Sequence, residues 1–138
     1  MTMPDDILQH NRELIEKFRE DGGASMGDRP LLLLTTLGAH SGEERTSPMM
    51  FVRDGGRLLV IASNMGSAKH PAWFHNLVAH PQVTVEVPGD TFSAAAAPLE
   101  GDEHDRAWAQ IVADHPFFAD HQKQTDRTIP IVALERVG

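Results

Sequence analysis

The chain has no cysteine and no tyrosine among its 138 residues. Without cysteine there are no disulfides, thiolate zinc sites or thiol nucleophiles, which fits a reducing cytoplasm. Without tyrosine no phenol can serve as acid or base. Long apolar runs are also missing: Leu31 to Leu34 and Leu58 to Ala62 are strand-sized, far too short to span a bilayer. Basic charge is scarce, with 12 Lys and Arg against 20 Asp and Glu and a formal net charge of -8. That balance disfavours a general nucleic-acid binder and still permits a local basic pocket. The opening Met1-Thr2-Met3-Pro4-Asp5-Asp6 is acidic and lacks a basic segment before an apolar core, so it does not read as a secretory leader. There is no Gly-x-Ser-x-Gly elbow, no Gly-x-x-x-x-Gly-Lys-Ser/Thr loop and no His-Glu-x-x-His pair. The eight histidines include His70, His75 and His80, which are five apart and share no helix face, so they read as scattered side chains and no metal site is expected.

The length suits one domain, taken as residues 1–138. Residues 4–21 carry Ile7, Leu8, Leu14, Ile15 and Phe18 at helical spacing, with Pro4 in the first turn and Gly22-Gly23 as a stop. The polar face of that helix mixes charge signs, which favours packing on the domain over a membrane surface. Strands are expected at 31–36, 46–53, 57–63, 82–87, 91–97 and 129–134. Asp54-Gly55-Gly56 and Pro88-Gly89-Asp90 mark hairpins. Pro48 suggests an edge or a bulge in the second strand, and the alanines at 94–97 suggest a close backbone approach. Helices are expected at 71–79 and 102–114, with a short one at 117–124. Hairpins dominate the middle of the chain, so the expected class is α+β: a barrel of about six mainly antiparallel strands flanked by helices.

Candidate chemistry concentrates where strands end. An apolar run closes at Ala62 and passes through Ser63-Asn64-Met65-Gly66-Ser67-Ala68-Lys69-His70 into a helix opened by Pro71. A helix start offers N–H groups without intrahelical partners and a positive dipole end, which suits an anion, and Lys69 adds a full charge. Arg45 follows a second small-residue loop, Gly38-Ala39-His40-Ser41-Gly42. If those strand ends cluster, they form a donor-rich rim on an acidic protein. Ser41, Ser47 and Ser63 have no visible base and read as turn or capping residues. Trp73 and Leu77 read as core, and Phe117 and Phe118 equally as core or as pocket wall.

Three stretches carry a family resemblance. Leu34-Thr35-Thr36-Leu37-Gly38-Ala39-His40-Ser41-Gly42-Glu43-Glu44-Arg45-Thr46-Ser47-Pro48 resembles the Thr-x-Gly-Arg-Lys-Ser-Gly-x-x-Arg-x-x-Pro stretch of the deazaflavin-dependent nitroreductase family. Ala62 to Leu77 and the tail Thr125-Asp126-Arg127-Thr128-Ile129-Pro130-Ile131-Val132 are similar to the same family. The resemblance implies a split β-barrel that binds 8-hydroxy-5-deazaflavin (coenzyme F420). It implies hydride transfer from the reduced coenzyme to an unsaturated or nitro-bearing organic molecule such as a quinone, enone or nitro compound. The coenzyme site it implies comprises Ala39, His40, Ser41, Arg45, Thr46, Ser47, Pro48, Met49, Met50, Ile61, Ala62, Ser63, Asn64, Lys69, Ala72, Trp73, Phe74, His75 and Asn76. Met50, Phe117 and Phe118 are the implied substrate wall, and Ser63 is the candidate proton donor. Ala39-His40 replaces the family's Arg-Lys pair, and Phe74 and Phe118 stand where tyrosines are usual. Those departures keep alternatives open: a non-enzymatic coenzyme or lipid binder, or an FMN- or haem-binding barrel. A cytoplasmic monomer or homodimer is expected, with peripheral membrane contact through the N-terminal helix as the alternative.

Overall fold

Six short runs become six strands in the computed structural model, which describes residues 12–20, 31–66 and 68–137. They are β1 (Leu31–Leu37), β2 (Glu44–Asp54), β3 (Arg57–Ile61), β4 (Gln82–Val87), β5 (Asp90–Pro98) and β6 (Ile131–Arg136). They close a barrel in the order β1-β2-β3-β6-β5-β4, and every pairing is antiparallel. The described helices are α1 (residues 12–20), α2 (Ala72–Ala79), α3 (Gly101–Asp114) and α4 (Phe117–Lys123). The expected barrel of antiparallel strands flanked by helices is therefore what forms. Residues 4–11 and 21 of the expected first helix, its Pro4, the Gly22-Gly23 stop and Pro30 ahead of β1 lie outside the described residues.

Alternation along the strands divides the apolar side chains between the barrel interior and two outer faces. Leu32, Leu34, Phe51, Leu58, Val60, Val83, Val85, Ala94, Ala96, Val132 and Leu134 fill the interior, and Leu77 of α2 packs into the same cluster. On one outer face, Leu59, Ile61, Ile131 and Ala133 meet Ile111 of α3 and Phe118 of α4. On another, Leu33 meets Phe18, with Leu14, Ile15 and Leu31 packed around them. Each Leu, Ile, Val or Phe among them contributes roughly 1.5–3 kcal/mol when fully buried. The apolar face of residues 12–20 is thus spent on the barrel wall. No helix among the described residues is long and apolar enough to cross a membrane.

Pro48 does not break β2. Strand β2 pairs with β1 over residues 44–50 and with β3 only over 51–54, so Pro48, opposite Leu33, lies where β2 has one neighbour. Its missing N–H interrupts no second ladder. There β2 and β3 part company, and the chain leaving β3 at Ile61 crosses to α2. The alanines of β5 alternate, with Ala94 and Ala96 inward and Ala95 and Ala97 exposed. Strands β3 and β6 are shifted from expectation. The former ends at Ile61, and the latter begins at Ile131, after Pro130, whose carbonyl accepts from the Ala62 N–H at 2.9 Å.

The crossing after β3 requires glycine at one point. Gly66 has φ +80°, and a Cβ there would sit 2.9 Å from both the Gln124 Cβ and the His121 carbonyl oxygen, so the crossing packs against the end of α4. Gly89 in the β4–β5 turn has φ +82° with nothing within 4 Å. Both Gly66→Ala and Gly89→Ala incur the left-handed penalty of about 1–2 kcal/mol. Gly66→Ala has in addition a clash with backbone. Denaturant unfolding should show a clearly larger loss for Gly66→Ala, and equal losses would contradict the close packing.

Candidate functional site

The loop after β1 is tied from within and from α2. Gly38 N–H donates to the Glu43 carbonyl at 2.8 Å and Gly42 N–H to the Gly38 carbonyl at 2.9 Å. Thr35 and Thr46 hydroxyls meet at 2.8 Å across β1 and β2. The decisive tie is Asn76, whose side chain is buried at 8% exposure. Its Oδ1 accepts from the Ala39 N–H at 2.9 Å, and its Nδ2 donates to the Thr36 hydroxyl at 3.2 Å. One amide therefore holds the first loop, the end of β1 and α2 in one arrangement.

A cavity of about 520 Å³ lies between these elements, walled by Gly38, Ala39, His40, Ser41, Arg45, Thr46, Ser47, Ala72, Trp73 and Asn76, and by Arg12 and Ile15 of α1. Helix α2 begins after Pro71 with no side-chain cap, so Ala72 and Trp73, both in the cavity wall, carry N–H groups without intrahelical partners at the positive end of the helix. Arg45 is exposed and paired with Glu43 at 3.0 Å. A solvent-exposed pair of this kind is worth little and is readily exchanged for another anion. The wall thus combines apolar surface from Ile15 and Trp73, two guanidiniums and free helix-start donors. That set can hold a molecule with a flat apolar part and an anionic part.

Nine of the residues singled out from sequence come together there: Ala39, His40, Ser41, Arg45, Thr46, Ser47, Ala72, Trp73 and Asn76. Pro48, Met49 and Met50 continue along β2 beyond the cavity wall, Met49 packing toward the barrel interior and Met50 toward the α3–α4 face. Phe74 is half-buried against the interior core and 4.7 Å from the His70 ring, and His75 is exposed. Ile61, Ala62 and Ser63 are buried where β3 ends, while Asn64 and Lys69 are exposed in the crossing and joined by Asn64 Nδ2 donating to the Lys69 carbonyl at 3.0 Å. These five do not line the cavity. Of the two aromatics, Phe118 is 5% exposed within the α3–α4 core and Phe117 is 44% exposed beside it. Neither reaches the cavity wall.

Sequence reading missed Arg12 and Ile15, because a helical period shows which face is apolar and not where the helix docks. It also named Arg127 within the tail resemblance and gave it no role. Arg127 donates to the carbonyls of Ala62 at 3.1 Å and Ser63 at 2.8 Å, and to His70 Nδ1 at 3.0 Å. An arginine can only donate, so that His70 nitrogen carries no proton. Burial, then the Arg127 guanidinium and His75, hold the His70 imidazole below its ordinary value.

Two measurements check this geometry. Asn76→Ala leaves the Ala39 N–H without its partner and should cost about 1–3 kcal/mol in denaturant unfolding, with faster hydrogen exchange at Ala39. The lowered His70 value makes folding stability full above the ordinary imidazole value of about 6.5 and lost as pH falls through the folded value, because the unfolded chain takes the proton first. The drop in melting temperature between neutral and mildly acidic buffer should be smaller in His70→Asn than in the parent protein.

Comparisons with known proteins bear on the family and the fold. A family model described as F420H(2)-dependent quinone reductase matches residues 9–136. An F420H(2)-dependent quinone reductase of Mycobacterium tuberculosis is 38% identical over 114 residues, which is 80% of this chain and 76% of the relative. The solved structure of an F420-H2 dependent reductase (FDR-A) is 39% identical, covers 78% of this chain and 95% of its own, and superposes with a TM-score of 0.70. A second solved structure, described as a domain-swapped dimer, is 38% identical, covers 96% of this chain and 99% of its own, and has a TM-score of 0.73. The heme storage protein HutZ of Vibrio cholerae, 21% identical over 91% of this chain and 89% of its own with a TM-score of 0.59, shares the fold alone. The chain belongs to the F420H(2)-dependent quinone reductase family.

Proposed function

We propose that the cavity beside the first loop holds the reduced deazaflavin coenzyme and that the protein uses it to reduce a quinone. The observation that carries this reading is the make-up of one wall: Arg12, Arg45 and the uncapped start of α2 beside Ile15 and Trp73, in a chain of net charge -8. A deazaflavin ring bearing a phosphate and an oligoglutamate tail has the matching apolar and anionic parts, so the residues present fit the group. When bound, the coenzyme supplies a hydride, and with one proton this converts a quinone to a hydroquinone and leaves the coenzyme oxidised.

The protein's share is position, charge and exclusion of water. Arg12, Arg45 and the N–H groups of Ala72 and Trp73 would hold the phosphate end, and Arg45 would give up Glu43 for that phosphate at little cost. The ring is assigned to the backbone of Ile61 to Asn64, outside the cavity wall at the end of β3, so the coenzyme would extend from the cavity to that strand end, with the Ser63 hydroxyl bonding ring or substrate and serving as the proton donor. Lys69, Phe74 and His75 frame the start of α2, and Pro48, Met49 and Met50 continue the wall along β2. Met50, Phe117 and Phe118 are assigned to the substrate side. Enones and nitro compounds are secondary acceptors. A cytoplasmic enzyme of one domain, monomeric or homodimeric, completes the proposal.

Fluorescence titration of the coenzyme tests the reading. The parent protein should quench it at micromolar concentration. Arg45→Ala and Arg12→Ala should each weaken binding by about 1 kcal/mol, the low end for charge-assisted contacts at exposed positions. Absence of quenching at high micromolar protein would sink the proposal, and unchanged affinity in either variant would remove that arginine from the site. Binding without turnover of the reduced coenzyme by any quinone, enone or nitroaromatic would make the protein a binder only.

A further inference from the structure

We infer that Arg127 is a positioning residue for the coenzyme site, fixing the crossing from β3 to α2 through the carbonyls of Ala62 and Ser63 and the ring of His70. The inference rests on the reading of the cavity as the coenzyme site. The three acceptors bracket the crossing. Ala62 and Ser63 lie where β3 stops, and His70 lies two residues before Ala72, where α2 and the cavity wall begin. Between them Asn64, at φ 46°, donates to the Lys69 carbonyl, and Gly66 N–H returns to the Ser63 carbonyl at 2.9 Å. The crossing is thereby fastened at both ends by one side chain.

Arg127 is itself held. Gln122 of α4 donates through Nε2 to the Arg127 carbonyl at 2.6 Å and accepts the Ile129 N–H on Oε1 at 3.0 Å. A continuous set of hydrogen bonds therefore runs from α4 through Arg127 to the residues that open α2. Its chemistry calls for arginine. A planar fork of donors reaches three acceptors in three directions, whereas a lysine ammonium on the same path reaches fewer at good geometry. The position of Ala72 and Trp73 in the cavity wall depends on where the chain enters α2, and an eight-residue helix does not set that by itself.

The network also depends on His70 remaining an acceptor. Protonation puts a hydrogen on the nitrogen that Arg127 addresses and sets two cations against each other. Among the described residues, the charged and titratable groups that act on His70 are Arg127, from the segment after α4, and His75 along α2, whose ring lies 5.7 Å away. Burial and both neighbours oppose its protonation. The crossing is therefore locked near neutral pH and loosens in mild acid.

The test compares the parent protein with Arg127→Ala, Arg127→Lys and His70→Asn. Oxidised coenzyme F420 is titrated by fluorescence between about pH 5.5 and 8, and hydrogen exchange is followed at the amides of Ala68 to Trp73. Arg127→Ala should weaken the coenzyme about tenfold or more and speed exchange at those amides, with β4 and β5 unchanged. Arg127→Lys should recover part of both. The parent's affinity should fall in acid by more than the coenzyme's own titration accounts for, and that excess should vanish in Arg127→Ala and His70→Asn. Unchanged affinity and exchange in Arg127→Ala, or the same acid limb in all four proteins, would overturn the inference. A parent that binds no coenzyme refutes the coenzyme reading instead, and the exchange data then decide alone whether Arg127 holds the crossing. Should Arg127→Ala not fold, Arg127→Lys and His70→Asn decide by the same two readouts.

Discussion

The side-chain amide of Asn76 ties the end of β1, the loop that follows it and the second helix to one another. It is buried, its oxygen takes the Ala39 N–H and its nitrogen gives to the Thr36 hydroxyl. Helix α2 has only eight residues and would not persist in water without tertiary contacts. Leu77, in the barrel interior, sets how deep it sits, and Asn76 sets which way it turns. The cavity exists because the loop and the helix start are held apart and aligned by these two neighbouring residues. An amide suits the position because it is donor and acceptor at once, and leaving either partner buried and unmet is costly.

Charge is organised locally on this framework. The protein as a whole is acidic, yet the cavity brings Arg12 from one helix and Arg45 from a strand to the positive end of another helix. Whole-chain charge governs solubility and long-range encounter. A partly enclosed recess with low-dielectric walls weights the nearest groups far more heavily. An anionic coenzyme can therefore bind a protein of its own charge sign, provided it is recognised at short range. On the proposed reading, Ala39-His40 in place of an Arg-Lys pair leaves the anionic end of the coenzyme to Arg12, Arg45 and the helix start.

Much of the fold was legible in local pattern. Val83 and Val85 alternate, Pro88-Gly89 turns, and β4 and β5 pair across a two-residue loop as expected. The loop at 38–42, Arg45 and the start of α2 were legible because they lie at strand ends and a helix start, where turn chemistry is local, whereas Thr46, Ser47, Trp73 and Asn76 of the cavity wall were named for the site only through the family resemblance. Docking was not legible. Arg12 sits on the polar side of a helix whose apolar face is plain, and only packing against Leu33 turns it toward the cavity. Arg127 serves carbonyls 64 and 65 residues away, and carbonyl acceptors leave no trace in residue types. Phe117 and Phe118 are adjacent on a short helix, so one is buried and the other exposed, and periodicity over seven residues does not say which. Pro48 reads as an interruption, yet it is accommodated because β3 stops short of it.

On the proposed reading, coenzyme F420 enters the cavity between the first loop and the start of α2. A crystal structure of the protein with coenzyme F420 tests it most directly. The phosphate is then expected within hydrogen-bond distance of Arg45 and the Ala72 or Trp73 N–H, with the ring reaching out of the cavity to the backbone of Ile61 to Asn64 at the end of β3. Coenzyme bound elsewhere on the barrel, with Arg45 still paired to Glu43 and the helix start unengaged, would contradict it.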